Sequence, residues 1–169
     1  MSSMTRNVGT ALTPALVERL SQREVRRRLG IALPFVTVDD DGRPHPMLLS
    51  YLEVRAHDTG TVGVVIQARS GSARNLIGRG VGTLMIVEPD TTVYVKTRLV
   101  DGPLPVPGGG DHGLGYFLLA VEEVREDSAA EWEAGMRITE PIRYEPPPTL
   151  DEPWARATIA ALAQPRARA

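Results

Sequence analysis

Gln67-Ala68-Arg69-Ser70-Gly71-Ser72-Ala73-Arg74-Asn75-Leu76 closes a β-branched strand, Val62 to Ile66, and opens a short helix. A second apolar strand, Leu84 to Val87, follows soon after. Two arginines, two serines, a glycine and an asparagine crowd this strand-to-helix corner. Hydroxyls, guanidinium groups and the unpaired N–H groups of a helix start can together hold an anion, most naturally a phosphate. Two readings stay open. The corner is either a phosphate cradle or a plain connection in which a serine caps one helical turn and Leu76 plugs the core. The spacing is neither a P-loop nor GxGxxG.

Outward from the corner, the chain reads as consecutive hairpins. Ile31 to Val38 is a strand, and Asp39-Asp40-Asp41-Gly42 is a hairpin turn. Arg43 to Val54 returns, with Pro44 and Pro46 near its start where a ladder tolerates them. Thr61 to Ala68 is the third strand, Val81 to Val87 the fourth and Thr91 to Val100 the fifth. In the fifth, Val93, Val95, Thr97 and Leu99 share one face, and Tyr94, Lys96 and Arg98 the other. Asp101 to Gly113 is expected as a long flexible loop before a sixth strand, Leu114 to Val124.

Helices frame the strands. Thr13-Pro14 reads as an N-cap and first helical position, with Gly30 as the stop. A capping box at Ser21-Gln22-Arg23-Glu24 predicts a break inside that helix. A second box, Ser128 to Glu131, predicts a short helix ending at Gly135, and Glu152 to Leu162 a final one. Residues 1–10 are expected as a disordered lead-in, 11–164 as one domain and 165–169 as a tail. Hairpins with a single inserted helix suit a small antiparallel barrel better than a parallel sheet. The expectation is a mainly β fold: a six-stranded antiparallel barrel with flanking helices.

Composition narrows the chemistry. The 169 residues hold no cysteine, which removes disulfides, thiolate metal sites and cysteine nucleophiles. A net charge of −2 and few aromatics give no general attraction to nucleic acid or anionic membrane. Arg26-Arg27-Arg28 suits a solvated helix end. No run reaches the roughly 20 apolar residues of a membrane helix, and Met1 to Thr10 lacks a signal pattern, so a cytoplasmic location is expected. His45, His57 and His112 are scattered and form no metal motif. No nucleophile elbow or acid–base pair stands out, so redox chemistry would have to come from a cofactor.

Phe35-Val36-Thr37-Val38 before Asp41-Gly42-Arg43-Pro44-His45-Pro46 resembles the opening hairpin of the pyridoxamine 5′-phosphate oxidase-like, FMN-binding split-barrel family. Ser70 to Leu76, followed by Val81 to Val87, is similar to that family's core, and the likeness spans roughly residues 12–125. It implies a homodimer with FMN, or a related flavin or deazaflavin, at the interface. The flavin N5 would then carry hydride to a small molecule, and no side chain is nominated as catalytic. Ser70 matches the serine that opens the inserted helix. Gly71 and Ser72 fall where many members carry a basic pair, and His45 and Ser50 where the oxidases have arginine and lysine. Arg69, Arg74 or Lys96 would have to supply the missing charge. The implied cofactor contacts are His45, Ser50, Gln67, Arg69, Ser70, Ser72, Arg74 and Lys96. The oxidases' Trp- and Arg-rich C-terminal segment is absent, which speaks against vitamin B6 oxidation. The alternative is a split-barrel protein that has lost flavin and binds another small ligand or acts as a dimeric scaffold.

Overall fold

A computed structural model of the chain describes residues 5–128 and 135–166. Its centre is one antiparallel sheet of eight strands: β1 (Thr5–Gly9), β2 (Ala32–Val38), β3 (Pro44–Ser50), β4 (Val54–Ala56), β5 (Thr61–Gln67), β6 (Val81–Glu88), β7 (Thr91–Pro105) and β8 (Leu114–Asp127). Strand order along the sheet is β3-β2-β6-β7-β8-β5-β4, and β1 pairs with β8 off this path. The outermost strands, β3 and β4, are joined by a single 3-10 turn, Tyr51–Glu53. Three residues cannot bridge the width of a flat sheet, so the sheet curls until its ends meet without pairing. The result is a split barrel.

Six strands were expected and eight are present. The Arg43–Val54 strand divides because Ser50 accepts the role of N-cap for the 3-10 turn, with Glu53 reaching back to it. The eighth strand corrects the lead-in: Thr5, Arg6 and Asn7 pair with Asp127, Glu126 and Arg125 of β8. The expected 101–113 loop is shorter as well, because β7 continues through Pro105, with register shifts that let it bend along β8. The first helix does break, into α1 (Pro14–Arg19) and α2 (Val25–Arg28). The helix expected from Ser128 lies largely outside the described residues.

Inside the barrel Leu33, Phe35, Leu49, Val64, Ile66 and Phe117 pack with Leu16 and Leu20 from the first helical segment and Leu76 from α3 (Gly71–Arg79). A second cluster lies on the outer face of β5 and β8. There Val65, Tyr116 and Leu118 meet Ala157, Ala161 and Leu162 of α4 (Pro153–Ala163). Strand β5 is therefore buried on both faces, which is why its sequence runs apolar instead of alternating. Gly63 of β5 faces the contact between His57 Nε2 and Tyr116 Oη, 2.7 Å apart; a Cβ there would fall 2.8 Å from both atoms. Burial pushes the Tyr116 phenol up to about 12. Arg166 lies over the Tyr116 ring at 4.6 Å, so the expected tail is anchored at least to that residue.

One buried polar hub ties helices to barrel. The Glu88 carboxylate at the end of β6 accepts from Arg19 Nη1 at 2.9 Å and Arg28 Nη1 at 3.2 Å, and from the Tyr51 hydroxyl. Arg19 also pairs with Asp90. Burial opposes the charge on Arg19, but Tyr51, Glu88 and Asp90 together leave its pKa raised.

Candidate functional site

The corner after β5 owes its shape to two caps. Ser70 is extended, and its Oγ accepts from the Ala73 N–H at 3.1 Å, which starts α3. Gly80, at φ 71°, ends the helix in the left-handed region, and its N–H donates to the Leu76 carbonyl. Asn75 fastens the helix to β2, donating to Thr37 Oγ1 at 3.0 Å and to Asp39 Oδ1 at 2.8 Å.

Of the eight residues proposed from sequence, five gather around this corner. Arg69 and Arg74 are exposed, and the Arg74 guanidinium folds back to donate to the Arg69 carbonyl at 3.0 Å. Neither arginine is in an ion pair among the described residues. Ser70 and Gln67 stand at the rim, while the His45 ring lies against the first helical turn: a Cβ on Gly71 would come within 3.0 Å of it. His45 is not idle there. Its Nδ1 sits 3.1 Å from Asp39 Oδ1, and Asp39 is held below the usual carboxylate range, first by the Asn75 amide and then by His45 and Arg43.

The other three side chains are buried or paired instead. Ser72 is 2% exposed inside the packing of α3. Ser50 is equally buried, and its Oγ donates to Glu53 at 2.9 Å. Lys96 is on the outer face of β7, paired with Glu123 at 2.9 Å, near the end of β8 away from Leu114. The face assignment for the fifth strand holds, and that same assignment keeps Lys96 away from the corner.

Two hollows meet at the corner. A groove of about 470 Å³ runs beside Arg69, between Ala68 and the chain from Pro103 to Gly115. An open hollow of about 360 Å³ lies on the other side of Gln67 and Ser70, lined by Met47, Ile66 and Leu114 and by Trp154 of α4. Gln67, His112 and Leu114 border both.

Glu53 also lines the open hollow, and sequence reading missed it. Its Oε2 accepts from the Ser50 N–H at 2.6 Å and from Ser50 Oγ, leaving Oε1 without a hydrogen-bond partner among the described residues. Burial raises the Glu53 pKa, against the pull of the two Ser50 bonds. The Ser50-x-x-Glu53 spacing was the available signal, a capping box hidden inside what read as continuous strand. Trp154 and His112 had no such signal, because only the fold brings α4 and the β7–β8 connection to β5. Among the described residues no group of three or more His, Asp or Glu side chains could hold a metal ion, and no helix is long and apolar enough to cross a membrane.

Neither a family model nor a curated protein matches the chain. Solved structures do. A protein of Lactobacillus delbrueckii described as a pyridoxamine 5′-phosphate oxidase is 18% identical, with a TM-score of 0.52, over 70% of this chain and 98% of that one. An FMN-binding protein of Syntrophomonas wolfei is 13% identical, with a TM-score of 0.51, over 69% of this chain and 92% of that one. A protein of Shewanella frigidimarina described as a flavin reductase with a split-barrel domain is 13% identical, with a TM-score of 0.45, over 69% of this chain and 79% of that one. At such identities the likeness to the first two is one of fold, and it agrees with the curled antiparallel sheet: the chain has the split-barrel fold of the pyridoxamine 5′-phosphate oxidase-like proteins.

Proposed function

We propose that this split-barrel chain is a flavin-binding, oxidoreductase-like protein of the cytoplasm that works as a homodimer on a small molecule. The observation that carries the reading is the corner itself: two exposed arginines, in no ion pair among the described residues, beside the start of a capped helix, with Arg69 on an open groove. The N–H group of Gly71 belongs to the first turn of α3, where no intrahelical acceptor exists. That group and Arg69 or Arg74 fit the phosphate of FMN or of a related deazaflavin cofactor. When bound, such a cofactor supplies hydride transfer at its flavin ring. The protein's own share is to hold the anionic end at α3 and to screen the groove from water with the Pro103–Gly115 segment.

A second reading has its own observation. His45 is committed to Asp39, Ser50 to Glu53, and Ser72 is buried, so three contacts implied by the resemblance are spent within the protein. That favours a barrel that has exchanged flavin for another small ligand. Titration with FMN separates the two: the first reading expects quenched flavin fluorescence at micromolar protein, and unchanged fluorescence overturns it. Light scattering on the same sample tests the dimer. In the flavin-binding case Arg74→Ala should weaken FMN about tenfold, since one charge-assisted hydrogen bond contributes about 1.5–3 kcal/mol. An unchanged affinity would assign the charge to Arg69.

A further inference from the structure

The cavity between Ser70 and Trp154 carries one carboxyl group, Glu53, whereas the groove beside it carries both Arg69 and Asp111. Arg69 borders the groove only, and Arg74 borders neither. Among the described residues no lysine or arginine lines the cavity, whereas Glu53 does. Met47, Ile66, Leu114 and the Trp154 indole form the apolar part of the lining, and Gln67, Ser70 and His112 the polar part.

A carboxylate in a partly apolar hollow repels a phosphate or carboxylate and attracts a cation, and the attraction grows as water is excluded. The Ser50 bonds fix the orientation of the Glu53 carboxyl through Oε2, so Oε1 is the atom left to a guest. An indole beside it adds a second preference of the same sign, because its π face attracts ammonium groups. Met47 can adapt to the body of the guest. The volume admits a molecule of about ten to fifteen heavy atoms by the usual scale of small-ligand sites.

We infer that this cavity binds a small organic cation, an ammonium group on a compact apolar or aromatic body, with Glu53 as its counter-charge and Trp154 as its stacking partner. Glu53 is the specificity-determining residue and excludes anionic analogues of the same shape. The site stands whether or not the adjoining groove carries a flavin. With a flavin in the groove, the cation is its neighbour across Gln67 and the substrate class is an amine-bearing molecule.

The test uses two probes of nearly equal shape, phenethylammonium and 3-phenylpropionate, at millimolar concentration with the full-length protein. Binding is followed by NMR through the Trp154 indole N–H and the Glu53 side-chain carboxyl carbon. The expected result is saturable shifts at both groups with phenethylammonium and none with phenylpropionate. Glu53→Gln, which keeps an oxygen for the Ser50 bonds, should weaken the ammonium probe at least tenfold. Trp154→Leu should weaken it about threefold to tenfold. Equal binding of both probes, no binding of the ammonium probe, or an unchanged affinity in Glu53→Gln would each overturn the assignment. The probe comparison uses wild-type protein alone, so it decides the matter even if a variant fails to fold. FMN titration of the same sample reports separately on the flavin reading.

Discussion

Glu88, 5% exposed between Arg19 and Arg28, shows how one buried charge organises its neighbours. Removing one member of such a set strands the others, at a cost of about 3–5 kcal/mol. Glu88→Ala should therefore destabilise the protein by roughly 3 kcal/mol in urea unfolding, whereas Glu18→Ala, at an exposed pair, should change stability by less than about 1 kcal/mol. Glu53 presents the reverse case. Its folded-state pKa lies above the ordinary carboxylate value because of burial. The folded state therefore holds the proton more tightly than the unfolded chain. The stability this contributes is complete below the unfolded carboxylate range and is lost as pH rises through the folded pKa. Relative to wild type, Glu53→Gln should gain stability near neutral pH, and the gain should shrink as pH falls toward 4. Urea midpoints of both proteins across that range check the sign; a gain that grows on acidification would refute it.

Helix α3 is the element on which the corner depends, and its start was legible in the sequence. A serine cap and Leu76 as core plug follow from residue type and spacing, whereas the left-handed stop at Gly80 was not read from them. Ser70→Ala should cost about 1 kcal/mol of stability, and Gly80→Ala a similar amount, because alanine is strained at φ 71°. Thermal melts of the two variants measure this. What could not be read was the engagement of side chains across elements. His45 looked available because Asp39 belongs to a turn on the other side of the hairpin. Lys96 looked useful because its partner Glu123 lies on β8, a strand that meets β7 only in the fold. The Arg43–Val54 strand read as continuous because Tyr51 and Leu52 are as apolar as any strand residue, and a 3-10 turn leaves no period of its own. Even so, the order of hairpins and the single inserted helix were enough to reach an antiparallel barrel, and the family resemblance of the 35–46 and 70–87 stretches narrowed it to the split barrel.

At the scale of the whole molecule, α4 makes a second layer over β5 and β8 that is separate from the barrel interior. Leu162 is fully buried there. Leu162→Ala should cost about 3 kcal/mol and, in limited proteolysis, should open cleavage ahead of α4 before the barrel is cut. Simultaneous loss of both would show that the layers unfold as one unit. The pairing of β1 with the far end of β8 has a consequence in time. Thr5 meets Asp127, so the first strand of the sheet finds its ladder only after almost every other strand exists. Contacts so distant along the chain close slowly, since the entropy of the loop is lost before the ladder repays it. During synthesis this edge must wait, unpaired, until β8 has left the ribosome, and hydrogen exchange should find it the last strand to gain protection.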